Sequence, residues 1–204
     1  MVEKSSGNKG EKTAISRRRI TLGILLGSLA GAFGSLLALL KVLSPEKKGG
    51  GYEATIVLGD RLVYAQGEKA GTPLRAAALK DGDAVLAYPV GKAQNQANLI
   101  QLIRLKEKAF KPPTRLDLTD QGFVAYSAIC THLGCTVSWV KNQTSPDTSF
   151  TECFCHNSIF DPTRGAKVLG GPAPIPLAQV GVKVAEDGVL LFTSGFIGPI
   201  GPQV

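Results

Sequence analysis

Every cysteine and both histidines of this 204-residue chain fall between positions 130 and 156. They form two short clusters, Cys130-Thr131-His132-Leu133-Gly134-Cys135 and Cys153-Phe154-Cys155-His156-Asn157-Ser158. Each histidine stands within three residues of a cysteine. The side chains best suited to ligate a soft metal or to cross-link are thereby confined to two loops. Any fold open to this chain must carry those loops on separate segments and bring them face to face.

The net charge of +7 invites a nucleic-acid reading until it is divided along the chain. Residues 1–19 hold Lys4, Lys9, Lys12, Arg17, Arg18 and Arg19 against Glu3 and Glu11, a net +4. Residues 41–50 add a net +2, and residues 51–204 are left with +1. The basicity belongs to the N-terminus, so no nucleic-acid partner is expected. Ile20 to Leu40 is a run of 21 uncharged residues, ITLGILLGSLAGAFGSLLALL. As a helix it would be about 31 Å long, a match for a hydrocarbon core of about 30 Å. The sequence predicts a transmembrane anchor over 20–43. The basic segment 1–19 is expected in the cytoplasm and everything beyond Lys41 on the outer side. Ser16-Arg17-Arg18-Arg19 resembles the start of a twin-arginine export signal, a pathway that carries folded proteins. Ala30-Gly31-Ala32 offers a small-residue cleavage pattern, but the apolar run continues through Leu40 with no polar stretch, which favours a retained anchor. Gly23, Gly27 and Gly31 share one helix face and would admit a close helical neighbour. Ser44-Pro45-Glu46-Lys47-Lys48-Gly49-Gly50-Gly51 reads as a flexible hinge over 44–51, with a reach of about 26 Å.

Residues 52–204 read as an all-β, antiparallel domain. Short apolar segments at 53–58, 84–88, 98–105 and 122–127 are rich in Val, Ile, Leu and Tyr, and turn residues separate most of them. Val182–Ala185 and Val189–Phe192 flank Glu186-Asp187-Gly188, a hairpin signal. A short helix is predicted over 72–80, with Thr72 as its cap and Pro73 at its first turn. The tail Phe196–Pro202, rich in Gly and Pro, is expected along the surface or against a partner. Trp139 is expected in the core. The stretch 64–119 receives no site.

Three chemistries could use the Cys/His clusters. Two structural disulfides would leave the histidines incidental. A Cys₂His₂ zinc site would leave two cysteines idle, and zinc knuckles commonly take a Cys-x₂₋₄-Cys pair from each loop. A [2Fe–2S] cluster held by two thiolates on one iron and two imidazoles on the other, with the remaining cysteines tying the loops together, employs all six. This pattern resembles the Rieske iron–sulfur proteins. CTHLGC matches their first cluster loop and C-x-C-H-x-S their second, while Gly171-Pro172-Ala173-Pro174 matches the Gly-Pro-x-Pro loop over the cluster in the quinol-oxidising branch. The resemblance covers about residues 122–192, with a cluster-binding subdomain expected at about 128–178. It implies that Cys130 and Cys153 bind the inner iron, that His132 and His156 bind the outer one, and that Cys135 and Cys155 form a disulfide. Replacing two thiolates by neutral imidazoles raises the potential into a range of about −150 to +300 mV. The imidazoles also allow electron uptake to be coupled to proton uptake.

The resemblance further implies roles around the cluster. Ser158 matches a serine whose hydroxyl donates to a bridging sulfide. Leu133, followed by Gly134, matches the apolar residue that shields the cluster. Phe160 stands where higher-potential relatives have a tyrosine donating to a ligand thiolate, which predicts a lower potential and a preference for menaquinol. Phe154 and Asn157 depart from the usual Pro and Gly. The implied protein is the Rieske subunit of a cytochrome bc-type quinol–cytochrome c oxidoreductase in a prokaryotic plasma membrane. Its partners would be cytochrome b, cytochrome c₁ or an equivalent c-type cytochrome, quinol and membrane lipid, within a dimeric complex. His156 and His132 would carry the proton chemistry. The alternative is the Rieske small subunit of an arsenite-oxidase-like molybdenum enzyme, whose second loop Cys155-His156-Asn157-Ser158-Ile159-Phe160-Asp161 echoes; the Gly-Pro-Ala-Pro loop speaks against it. Ring-hydroxylating oxygenases and soluble Rieske ferredoxins generally lack the disulfide pair and the anchor.

Overall fold

The computed structural model describes residues 52–145 and 148–203. The basic segment, anchor and hinge expected over 1–19, 20–43 and 44–51 lie outside them. Among the described residues no helix is long and apolar enough to cross a membrane.

Among the described residues, ten strands make two antiparallel sheets. The larger has β1 (Leu62–Tyr64), β2 (Ala84–Pro89), β3 (Ile100–Arg104), β4 (Phe123–Ser127), β9 (Gln179–Val184) and β10 (Leu190–Ile197), in that spatial order. The smaller has β5 (Ser138–Val140), β6 (Phe150–Cys153), β7 (Ser158–Asp161) and β8 (Lys167–Gly170). β4 and β9 are direct neighbours, with Ala125 opposite Val180 and Tyr126 opposite Gln179. The whole smaller sheet is therefore an excursion that leaves the larger sheet at one strand and returns at the strand beside it.

Side-chain alternation explains how one sheet serves two cores. Along β4, Phe123 and Ala125 enter a core with Leu62, Ile100, Leu102, Val180 and Phe192. Val124 and Tyr126 enter another with Ile103, Cys130, Cys153 and Phe160. Buried on both faces, the strand reads as an unbroken apolar run. The second core is glued by polar ties as well. Trp139 Nε1 donates to Gly82 O at 2.9 Å, Lys141 Nζ to Asp83 Oδ1 at 2.8 Å, and the Thr151 hydroxyl to Gln101 Oε1. Trp139, expected as plain core, is half-buried and acts as one of these ties. Lys111 N and Thr114 Oγ1 both donate to Thr163 O, and Gly165 N donates to Thr114 Oγ1 at 2.7 Å. Segment 64–119 thus supplies two strands of the larger sheet and braces the far end of the β7–β8 hairpin.

The predicted strands at 84–88, 98–105 and 122–127 correspond to β2, β3 and β4, and the Asp-Gly hairpin to β9 and β10. Three expectations are corrected. The predicted helix at 72–80 is reduced to a single turn of 3-10 helix, Ala76–Ala78. Leu74 instead bridges both edges of the larger sheet, its N–H donating to Leu62 O and its carbonyl accepting from Leu190 N, each at 2.9 Å. Burying Leu74 completely between two edge strands outweighs a helix whose three alanines would bury little. The tail, expected along the surface or against a partner, is exposed at Ile197, Gly198 and Pro199 but not along its whole length. Phe196 and Ile197 complete β10, and Ile200 is buried in the core with the cysteines.

The segment at 53–58 forms no strand and joins no sheet. Side chains from one loop hold its backbone: Asn95 Nδ2 donates to Glu53 O, Thr55 N to Asn98 Oδ1 at 2.7 Å, and Lys92 Nζ to Thr55 O at 3.0 Å. Asn98 is fully buried and also donates to Thr55 Oγ1 and Lys92 O. Asn98→Ala leaves an amide and a carbonyl without partners, so we expect a loss of about 2 kcal/mol, read as a lower urea midpoint with an unchanged m-value.

Candidate metal centre

Three loops meet at one end of the smaller sheet. The first, 130–135, follows β4 and is closed by Cys130 N donating to Cys135 O at 2.8 Å and Gly134 N to Cys130 O at 3.0 Å. The second is the turn between β6 and β7, where Cys153 pairs with Ser158. Asn157 occupies the left-handed region there (φ 57°), which Asn tolerates better than most residues. The third, 171–178, leads from β8 back to β9. Gly171 has φ 84°, and a Cβ on it would collide with Asn157 O and Ser158 Cα. Only glycine lets this cover loop lie directly on the second loop. Its other end is held by Thr131 Oγ1 donating to Ile175 O at 2.7 Å. A disulfide, Cys135–Cys155, joins the first two loops, as expected from the resemblance.

The remaining ligand-type side chains separate into two layers. Cys130 and Cys153 are free thiols buried in the second core. His132 is half-buried and His156 exposed, their rings edge to face with centroids 4.6 Å apart. His132 Nδ1 is buried and makes no hydrogen bond, a cost that a metal bond would remove. Two inward thiols and a buried, unpartnered imidazole nitrogen beside a second imidazole form a donor set for a mixed thiolate–imidazole iron–sulfur centre. Residues 128–137, 153–160 and 170–178 contain no Asp, Glu, Lys or Arg. Leu133 and Phe154 are 60% and 62% exposed, which makes the rim apolar. Phe160 is fully buried and Ser158 nearly so, while Pro172 and Pro174 are exposed on the cover loop.

The sequence reading missed two supports. Tyr52 packs against the first loop, where a Cβ on Gly134 (φ 82°) would collide with its hydroxyl. The backbone amide of Ala173 donates to Ser158 Oγ at 3.1 Å. No residue-type signal marks a backbone donor, so nothing in the sequence points to it.

The model of the Rieske [2Fe-2S] domain family matches residues 90–183. A Haloferax mediterranei protein described as a respiratory nitrate reductase Rieske subunit is 32% identical over 177 residues, spanning 87% of this chain and 74% of its own. The chain belongs to the Rieske [2Fe–2S] family. The cytochrome bc1 complex Rieske iron-sulfur subunit of Streptomyces lividans is 34% identical over 64% of this chain and 79% of its own, and that of Streptomyces coelicolor 30% identical over 94% and 55%. A chain of a hyperthermophilic respiratory Complex III is 24% identical over 84% of this chain and 98% of its own, with a TM-score of 0.39. As a member of the Rieske family, the protein is a [2Fe–2S] electron-transfer protein.

Without the cluster, burial pushes the Cys130 thiol up from 9.0 to about 11, and the neighbouring Cys153 thiol adds to the rise. Burial also raises Tyr126, whose hydroxyl donates to Pro162 O. Both groups hold their protons more tightly when folded, so their contribution is complete below about pH 9 and is lost as the pH climbs through the folded values. Denaturant melts of the cluster-free protein should show stability falling from pH 9 upward. The fall between pH 9 and 11 should be shallower in Cys130→Ala.

Proposed function

We propose that Cys130 and Cys153 ligate the inner iron and His132 and His156 the outer one. We further propose that the chain is the electron-transfer subunit of a membrane cytochrome bc-type complex, taking an electron and a proton from quinol and passing the electron to a c-type cytochrome. The observation that carries this reading is the layering of the site, with thiols buried in the core and imidazoles at an uncharged, apolar tip. The cluster supplies a one-electron couple whose potential the imidazoles raise.

The protein's own groups do the rest. His156, the more exposed imidazole, accepts a hydrogen bond from a quinol hydroxyl and takes its proton. Leu133 and Phe154 keep water from the contact and dock on the apolar surface of cytochrome b, the membrane subunit. An uncharged rim makes no desolvation demand there. The electron leaves through the same edge once the domain moves to its cytochrome c₁-type acceptor. The relatives described as cytochrome bc1 subunits support these partners. The anchor at 20–43 would hold the domain on the outer face of a prokaryotic plasma membrane with its N-terminus in the cytoplasm, in a lipid-embedded dimeric complex. The hinge at 44–51 would let the domain travel. Phe160 is buried without a hydroxyl to donate, which supports a lower potential and menaquinol as donor.

A second reading, a Rieske subunit serving a different respiratory oxidoreductase such as the arsenite-oxidase-like enzymes, is supported by the H. mediterranei relative. Purification of the complex separates them, since only the first brings down b- and c-type hemes and quinol–cytochrome c reductase activity.

An EPR-monitored redox titration of the full chain should show a Rieske-type signal with a midpoint in the lower half of the family range. The midpoint should fall as the pH rises, as electron uptake coupled to proton uptake requires. Phe160→Tyr should raise it, and a midpoint unmoved by that change removes the argument for menaquinol. Replacing hinge glycines 49–51 with proline should slow quinol–cytochrome c turnover and leave the midpoint unchanged. Unchanged turnover would exclude domain travel on that hinge.

A further inference from the structure

Ser158 sits under the cover loop with a hydroxyl that has one proton and two lone pairs. It is 1% exposed, so water does not compete for either. One lone pair is occupied, because the Ala173 amide, itself buried, donates to Ser158 Oγ at 3.1 Å. The proton is left to point the other way, on the buried face of the sheet that Ser158 shares with its cross-strand partner Cys153.

We infer that the Ala173 backbone amide is a positioning group for the cluster: it fixes the orientation of the Ser158 hydroxyl, and through it the cover loop sets the reduction potential. This rests on the ligand assignment above. A hydroxyl that accepts one hydrogen bond donates a stronger one, so the two bonds reinforce each other in this dry environment. The reduced centre is more negative than the oxidised one, so a stronger donor to its sulfurs stabilises reduction and raises the potential. The placement of the amide is over-determined. Gly171 lies against the backbone of Asn157 and Ser158, and Thr131 grips the loop at Ile175. The exposed prolines at 172 and 174 flank the donor and have no N–H of their own, which leaves Ala173 as the amide between them.

The test is a double-mutant cycle on the full chain in membranes, read by EPR-monitored redox titration. Ala173→Pro deletes the N–H and should lower the midpoint in the otherwise unaltered protein. In a Ser158→Ala background the same change should produce no further shift. If proline prevents cluster assembly, the α-hydroxy analogue of alanine at 173, which replaces the amide by an ester of nearly the same shape, gives the same comparison. An unchanged midpoint in the first background, or an equal fall in both, overturns the inference. Absence of a Rieske signal from the unaltered chain would instead overturn the ligand assignment.

Discussion

The pairing of β4 with β9 is the constraint on which the rest of the domain depends. Those two strands lie side by side although more than fifty residues separate them. All three loops of the metal centre, and the four strands that support them, belong to the intervening chain. Antiparallel neighbours fix where the excursion begins and ends, so the smaller sheet must fold back over the face of β3 and β4. That face presents Gln101, Ile103, Val124 and Tyr126, and the apolar members of this set form one continuous core with Cys130, Cys153 and Phe160. The thiols are buried because the core of the electron-transfer site is also the seam between the sheets.

The seam is held by more than apolar area. Trp139, Lys141 and Thr151 each reach across it to a named acceptor on the larger sheet or its loops. The Lys141–Asp83 contact is partly exposed and holds the Asp83 carboxyl below its usual range through a direct hydrogen bond, so it adds geometry more than energy. Hydrogen bonds of this kind specify one docking angle, where an apolar seam alone would allow several. A fixed angle matters here, since the disulfide, the two histidines and the cover loop come from different parts of the excursion and must converge on one point.

The centre shows a division of labour between covalent, backbone and side-chain constraints. The disulfide ties the loops at their outer edge, Gly171 lets backbone approach backbone, Gly134 admits the Tyr52 side chain, and the thiols complete the interior. The imidazoles face outward at an uncharged rim. Electron transfer needs a low-dielectric interior on one side and an accessible edge on the other, and this layering provides both.

Much of this was legible in the chain. The confinement of all cysteines and histidines to two clusters dictates paired loops. The short β-branched and aromatic runs bounded by turn residues, β4 among them, and the Asp-Gly turn dictate strands and a hairpin, because those signals are local. The strands of the smaller sheet were not legible, since three- or four-residue strands of mixed burial carry no readable period. Residues 72–80 and 53–58 misled for one reason: their backbone groups are satisfied by distant partners, Leu62 and Leu190 in one case and Asn95 and Asn98 in the other. The sequence by itself determined which atoms are available to hold the cluster and how far apart they lie along the chain. Only the tertiary structure decided which thiols are buried, which imidazole nitrogen loses its solvent, and which backbone amide orients Ser158, because burial and hydrogen-bond direction arise only when remote segments share the same space.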